Sequence, residues 1–337
     1  VKVAVYYSNA DIRIEDRPVP EIGAGELLIA MKACGICGTD VMEWYRKPKA
    51  PRVLGHEMAG EIVQIGEGVS GLRVGDRVFV SHHVPCFNCR YCETGRESAC
   101  QTLHAGNYDP GGFAEFIRVP ELNVRHGTFT LPNNISFEEA AMIEPLACAV
   151  AGQKRLSVAE GQTVLIIGAG ISGLCHIRLS VLSGAKVIAS DINPARLEKA
   201  SGMGAAHVLD AAAFSADRLK ELNGGRLADA VIVCAGAEKA AADAFESVDK
   251  RGAILFFAVP PRPLELPSVR FWREEISVLF SYGAAAAEIK EALDLIAGGR
   301  FAARDMISHV LPLSRITEGF NLVAEANDSL KVVVVPD

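Results

Sequence analysis

The sequence predicts an α/β protein in two parts, one β-rich with long loops and one doubly wound around a parallel sheet. Three observations carry that expectation: a length of 337 residues, a switch in apolar periodicity near residue 147, and a glycine-spaced turn between a strand and a helix. The length exceeds the roughly 250–300 residues at which one hydrophobic core stops growing, so two domains are expected. In the first part, short apolar runs (VKVAVYY, ELLIAMKA, EIVQIG, RVFVSHH and FAEFIRVP) are separated by Gly, Pro and Asp. Such runs are strands, and their connections can carry ligands. Next, strand and helical stretch alternate in TVLIIG, ISGLCHIRLSVLSG and KVIASD, with the strands DAVIVCAG and GAILFFAV following. That rhythm means βαβ units on a parallel sheet. Two helical patterns, Glu288 to Ile296 and Ser314 to Ala326, precede a closing strand, VVVV. The expected segments are 1–146, 147–283 and 284–337.

Half of the residues are apolar and 22% are charged, which suits a packed globular core. The formal charge is −7 and no Lys/Arg cluster is present, so the electrostatic basis for binding nucleic acid or an anionic membrane is missing. No window approaches the roughly 18 apolar residues of a spanning helix, and the N-terminus lacks the pattern of a secretory leader. The expected compartment is the cytoplasm. There, nine cysteines, an odd number, suit metal ligands and buried thiols better than a disulfide framework. Expected partners are a small-molecule substrate and further copies of the chain.

Cys86, Cys89, Cys92 and Cys100 form C-x2-C-x2-C-x7-C. Four thiolates so close on one loop can close around a tetrahedral zinc, which with every position filled holds structure and does no chemistry. An iron–sulfur cluster would use a different spacing with a terminal Cys-Pro. A second metal site draws on separate segments: Cys37 in CGICGTD, His56 and Glu57 in GHE, and Glu144 in IEPL. One sulfur, one imidazole and a carboxylate or two suit a zinc that keeps one exchangeable position. Taken singly, each has a plainer reading as a core thiol, a hydrogen-bonded histidine or a helix-start acid. Asp40 is a candidate acceptor for the imidazole of His56. Cys34 and Cys37 also make a C-x2-C, but no thioredoxin-like βαβ setting surrounds them. Cys34, Cys148, Cys175 and Cys234 are therefore expected as buried structural thiols.

Gly168, Gly170 and Gly173, with Ile171 and Ser172 between the last two, spell G-A-G-I-S-G directly after TVLII. The first glycine permits the turn, the second lets backbone approach a pyrophosphate, and the third lets helix pack on strand. Asp191 follows 23 residues after Gly168, at the end of the next strand, where a carboxylate can bind both hydroxyls of an adenosine ribose. It would repel a 2′-phosphate, so NAD is expected over NADP. Arg196 could cover the adenine, restore some NADP use, or be a solvated helix residue.

With these motifs in order, the chain resembles the zinc-containing alcohol and polyol dehydrogenases of the medium-chain dehydrogenase/reductase superfamily. The likeness runs through GHEMAGEIVQIGEGVSGLRVGDRV, the four-cysteine loop, PGGFAEF and the Rossmann half. It implies a GroES-like catalytic domain made from both ends of the chain, an inserted cofactor domain, NAD, and two Zn2+ per chain. Cys37, His56, Glu57 and Glu144 match the family's catalytic-zinc positions. Glutamate at the last resembles the sorbitol and butanediol dehydrogenase branches, where it reaches zinc directly or through water. Thr39 matches the hydroxyl that takes the substrate proton.

Two departures stand out. Met42 occupies the place of a histidine that ends a proton relay, and a thioether carries no protons. The outward path is then left to cofactor ribose, water or a side chain such as Glu57. Gly38 replaces an arginine of the liver-type enzymes, leaving pyrophosphate to the glycine turn and Lys331. The implied reaction is hydride transfer between a secondary alcohol and NAD in a homodimer or homotetramer, with GAILFFAV among the candidate edge strands. Trp44, Tyr45, Phe271 and Trp272 are expected to fill interior space rather than line a substrate site. A threonine-type amino-alcohol dehydrogenase is the nearest alternative. A zinc-free quinone or enoyl reductase would lack Cys37, His56 and Glu57, and a zinc-binding scaffold would have no use for GAGISG with Asp191.

Overall fold

The computed structural model describes residues 1–260 and 262–337. Its strands form three sheets in two compact units, Val1–Ala147 with Gly283–Asp337, and Cys148–Tyr282.

The first unit holds β1 (Lys2–Ser8), β2 (Asp11–Asp16), β3 (Leu27–Gly35), β4 (Arg52–Val53), β5 (Glu57–Ile65), β6 (Arg77–Ser81), β7 (Phe116–Val119) and β8 (Thr128–Thr130). The larger sheet has β3 and β5 at its middle, paired antiparallel, and β6 antiparallel to β5. β3 is buried along most of its length, which is why LLIAMKACG reads as a nearly unbroken apolar run. Tyr6, Phe113 and Phe320 meet in the core, with ring centroids 5.9 and 6.0 Å apart around Phe320. Truncating one such ring to alanine costs about 3–5 kcal/mol.

The second unit holds β9 (Thr163–Ile167), β10 (Lys186–Asp191), β11 (His207–Asp210), β12 (Ala228–Val233), β13 (Val248–Phe256) and β14 (Ser277–Phe280). All pair in parallel, in the order β11-β10-β9-β12-β13-β14. This is the Rossmann order, and its direction reverses beside β9, where ligands bind at the carboxyl ends of strands. The chain then returns to the first unit with β15 (Ile307–Pro312) and β16 (Lys331–Val335). β16 pairs parallel with β15 and antiparallel with β3, placing Val333 opposite Gly35 and Val334 opposite Cys34. Four consecutive β-branched residues, Val332 to Val335, suit a strand so enclosed.

Several sequence expectations are corrected. GAILFFAV is an inner strand, because β14 covers β13, and the sheet's edge is β14 itself. An apolar run without alternation marks burial on both faces and says nothing about position in the sheet. RVFVSHH stops being a strand at Ser81, whose hydroxyl donates to the His83 carbonyl. FAEFIRVP yields only the four residues of β7, and the Ser314–Ala326 pattern is helical from Ile316 to Glu325. Phe271 joins the core, but Trp44 and Trp272 are 66% and 80% exposed and Tyr45 is only partly buried. Cys34 and Cys175 are buried, whereas Cys148 and Cys234 are only half-buried. Among the described residues, no helix is long and apolar enough to cross a membrane.

Candidate metal centres and cofactor turn

The loop from Cys86 to Cys100 brings its four sulfurs together, all within 4.8 Å of one another. Sγ–Sγ separations are 3.5 Å for Cys89 and Cys92, 3.6 Å for Cys86 and Cys100, and 4.0 Å for Cys86 and Cys92. Disulfide sulfurs are about 2.05 Å apart, whereas four sulfurs about 2.3 Å from one zinc sit about 3.8 Å from each other. The spacing is that of a tetrahedron. The Cys86 amide donates to Cys100 Sγ at 3.4 Å. Burial works to raise the Cys100 thiol, but this amide and that of Leu103 bring it down to about 6. Four sulfurs at this spacing fit a zinc ion.

The second centre is built where β3 ends and β5 begins. Gly35 lies opposite Glu57 in the β3–β5 register, so the turn after β3, carrying Cys37, meets His56 and Glu57. Donor atoms of Cys37, His56 and Glu57 all lie within 4.8 Å of one another. Asp40, fully buried, has Oδ1 3.5 Å from His56 Nδ1, which leaves Nε2 as the donor atom. Asp40 also accepts from the Cys37 amide at 3.1 Å, closing the turn. Burial alone would depress the His56 imidazole, yet Asp40 and Cys37 hold it well above the ordinary histidine range. For Asp40, burial works upward, but His56 and Arg46 keep its carboxyl below the usual range. The His56 ring is thus held between the Asp40 carboxylate and the Cys37 sulfur. With one sulfur, one nitrogen and carboxylate oxygen as donors, the chemistry fits zinc.

Thr39 Oγ1 donates to Cys37 Sγ at 3.3 Å and accepts from Arg46 Nη2 at 3.0 Å. Glu144, buried in the first turn of the helix Ile143–Leu156, stands beyond the compact group of three donors. Its charge still acts on Lys331 and on the Tyr108 phenol.

Lys331 requires correction as a pyrophosphate contact. Its Nζ donates to Glu57 Oε1 and Oε2 at 2.8 and 2.6 Å and to the Ile36 carbonyl at 3.3 Å. An ammonium has three hydrogens, and all three are engaged inside the first unit. Glu57, bound in this way, is likewise no outlet for protons. Burial works to lower the Lys331 pKa, but Glu57 and then Cys37 carry it above the ordinary lysine value.

Four neighbours escaped the sequence reading. Arg46 Nε donates to the Thr39 carbonyl at 2.9 Å, and its Nη2 reaches Asp40 at 3.3 Å. The His82 ring lies 4.8 Å from that of His56, and the His83 ring 3.6 Å from His82. Burial first, then the charges of His83 and His56, pushes His82 well down, and burial first, then the charges of His56 and His104, brings His83 to about 3, so both are neutral. Among the described residues the buried Tyr108 hydroxyl has no hydrogen-bond partner, and burial first, then Cys34 and Glu144, raise its pKa. The signal for the histidines was register: Glu57 faces Ser81, which brings the preceding His56 beside the following His82.

At the end of β9 the chain turns through Gly168, with φ of 95°. A Cβ on Gly168 would meet the Ala235 amide at 3.0 Å, and one on Gly173 would sit 1.9 Å from the Gly168 carbonyl. Gly170 is different, because a Cβ there would find only Arg196 Nη1, at 3.8 Å. The turn is tight at its ends and open in the middle, where a pyrophosphate fits. Ile171 and Ser172 open the helix Ile171–Leu182, so their N–H groups lack intrahelical partners. Asp191, closing β10, accepts from the Ala169 amide at 2.6 Å and the Asn193 amide at 2.8 Å. Each oxygen keeps a lone pair for a ribose hydroxyl.

Comparison with known proteins agrees with this geometry. Residues 23–132 match the family profile "Alcohol dehydrogenase GroES-like domain", and residues 172–298 match "Zinc-binding dehydrogenase". The probable D-xylulose reductase A of Aspergillus fumigatus is 33% identical over 96% of this chain and 93% of its own. The L-threonine 3-dehydrogenase of Rhizobium etli is 33% identical over 98% of this chain and 97% of its own. The chain belongs to the zinc-dependent medium-chain dehydrogenase/reductase superfamily. Within it, the sorbitol dehydrogenase-like branch is the nearest setting. A zinc-binding dehydrogenase structure from Sinorhizobium meliloti with NADP bound superposes with a TM-score of 0.87 at 28% identity, over 99% of each chain. The chain is thus an oxidoreductase of the alcohol dehydrogenase type, in a family of zinc-binding dehydrogenases. If the four-cysteine loop holds a structural zinc, Cys100→Ser is expected to release it and lower the thermal midpoint by roughly 5–10 °C, about 2–3 kcal/mol in a unit of this size. Metal analysis paired with calorimetry checks it, and an unchanged midpoint with one zinc lost would refute a structural role for that loop.

Proposed function

We propose that the chain is an NAD-dependent zinc alcohol or polyol dehydrogenase interconverting a secondary alcohol and a ketone, with one catalytic and one structural zinc. The observation that carries this reading is the group of Cys37, His56 and Glu57 donors within 4.8 Å, with the Thr39 hydroxyl 3.3 Å from Cys37 Sγ. Zinc held by Cys37, His56 and a carboxylate of Glu57 or Glu144 supplies Lewis acidity to the alcohol oxygen, and NAD supplies a hydride acceptor.

The chain's own residues do the rest. Asp40 fixes the ring of His56. Thr39 Oγ1 takes the alcohol proton, while Arg46 keeps one of its lone pairs occupied and sets a fixed positive charge beside it. Met42 offers no onward path, so the proton leaves by water or the cofactor ribose. Gly168, Gly170, Ile171, Ser172 and Gly173 hold the pyrophosphate, and Asp191 holds the ribose and disfavours a 2′-phosphate. Arg196, beside Gly170, permits residual NADP use.

The segments 1–146 and 284–337 form the catalytic domain, and 147–283 the NAD-binding domain. β14 leaves an open sheet edge, and Val269, Trp272, Phe280 and Tyr282 near it are 70%, 80%, 54% and 49% exposed. We assign this edge to pairing between copies in a homodimer or in the dimers of a homotetramer. Nine cysteines, an odd number, suit a reducing compartment, the cytoplasm.

Cys37→Ala and His56→Ala are each expected to lower kcat/KM by at least about a thousandfold with the fold intact. A screen of diols, polyols, cyclic alcohols and threonine, read by absorbance of reduced cofactor, measures this, and retained turnover in either variant ends the proposal. Asp191→Asn should weaken NAD binding by about 10- to 100-fold while improving NADP. Unchanged cofactor preference in titrations would remove Asp191 from the ribose site. Sedimentation equilibrium should give a dimer or tetramer that Phe280→Asp dissociates, and a monomeric wild-type chain would contradict the edge pairing.

A further inference from the structure

We propose that His82 is a specificity-determining residue whose Nε2–H donates to an oxygen on the carbon beside the one oxidised, so that the substrate is a vicinal diol or polyol and neither a simple alcohol nor an amino alcohol. The inference rests on reading the Cys37 centre as the catalytic zinc site, and it narrows the substrate class of that site.

Three observations carry it. The first is position. The His82 ring lies 4.8 Å from that of His56, and Arg46, whose charge reaches it, donates to the Thr39 hydroxyl at 3.0 Å. His82 therefore borders the space in which the reacting alcohol would lie. The second is rigidity. β6 ends at Ser81, and the buried Asn123 donates from Nδ2 to the carbonyls of Ser81 and His82 at 2.8 and 3.3 Å, which fixes the backbone that carries the ring. The His83 ring packs against it with centroids 3.6 Å apart. A side chain held in this way does not turn to suit a ligand, and selects the ligand that suits it.

The third is the nitrogen left open. Among the described residues, Nδ1 of His82 is buried without a hydrogen-bond partner, whereas Nε2 has no partner in the chain and is not enclosed, in a residue that keeps 9% of its surface exposed. A neutral imidazole carries one N–H and one lone pair. A buried N–H without an acceptor is a costlier orphan than a buried lone pair, so the proton belongs on Nε2. A charged ring would donate from Nε2 as well, and the direction of the bond is therefore the same in either state. Because the ring packs on a metal ligand, the atom it meets lies close to the reacting carbon. A hydroxyl there offers a lone pair and a methyl or methylene group offers none. An ammonium has no lone pair either, and it would set a further cation beside Arg46 and the metal.

The test uses the zinc-loaded full chain with NAD and two matched sets of substrates: 2,3-butanediol, 2-butanol and 3-amino-2-butanol, and trans-1,2-cyclohexanediol, cyclohexanol and 2-aminocyclohexanol. The readout is the ratio of kcat/KM for a diol to that for each of its counterparts. In the wild type this ratio should be at least about tenfold over the simple alcohol and larger over the amino alcohol. In His82→Phe, which keeps a flat ring and removes both nitrogens, the ratio over the simple alcohol should fall by about tenfold, and His82→Gln, which returns an N–H, should recover part of it. Should His82→Phe fail to fold, His82→Leu takes its place. A wild-type ratio near one overturns the proposal, as does a preference for the amino alcohol. A ratio that His82→Phe leaves unchanged overturns it too, since the imidazole would then serve the reacting oxygen or none. Zinc-dependent turnover without preference for a diol, or with neither diol a substrate, sinks this inference alone. A chain without zinc at Cys37 sinks the parent reading with it, and metal analysis shows that before any variant is made.

Discussion

The register of four strands, β16, β3, β5 and β6, is the constraint on which the candidate catalytic centre depends. Gly35 lies opposite both Val333 and Glu57, and Glu57 lies opposite Ser81. From these pairings follow the meeting of Cys37 with His56, of Glu57 with Lys331, and of His56 with His82. A slip of one residue along any of these strands would turn every side chain of that strand to the other face and scatter the group. The burial of β3 and β16 gives the register its strength, since a slip would carry an apolar strand out of a formed core.

Within that frame the centre is organised by balancing anions with cations away from water. Asp40 faces His56 and Arg46, and Glu57 faces Lys331. Cys37 meets the imidazole and the Thr39 hydroxyl. His82 and His83, by contrast, add no charge, because burial among cationic neighbours keeps them neutral. The donors facing a metal are thereby held in place by partners that do not themselves ligate. Such support shell groups orient ligands and tune their basicity.

The two halves of the chain solve different problems. The cysteine loop and the glycine turn are local devices whose parts lie within a few residues of one another. Their function is written in spacing. The candidate catalytic centre is assembled from residues 37, 39, 40, 46, 56, 57, 82 and 331, which only the sheet unites.

The difference explains what was legible in sequence. Cys86, Cys89, Cys92 and Cys100, the turn from Gly168 to Gly173, and Asp191 at the end of the next strand could be read directly, because a tetrahedron and a tight turn impose short, fixed intervals. The α/β class was also readable, because strand and helix bury apolar residues with different periods. Arg46, His82 and Tyr108 carried no such interval, and Lys331 was matched to the wrong partner. Whether GAILFFAV was edge or interior, and where the Lys331 ammonium found its counter-charge, are questions of strand order and register. Those are decided by long-range pairing across the sheet, which periodicity along the chain does not encode.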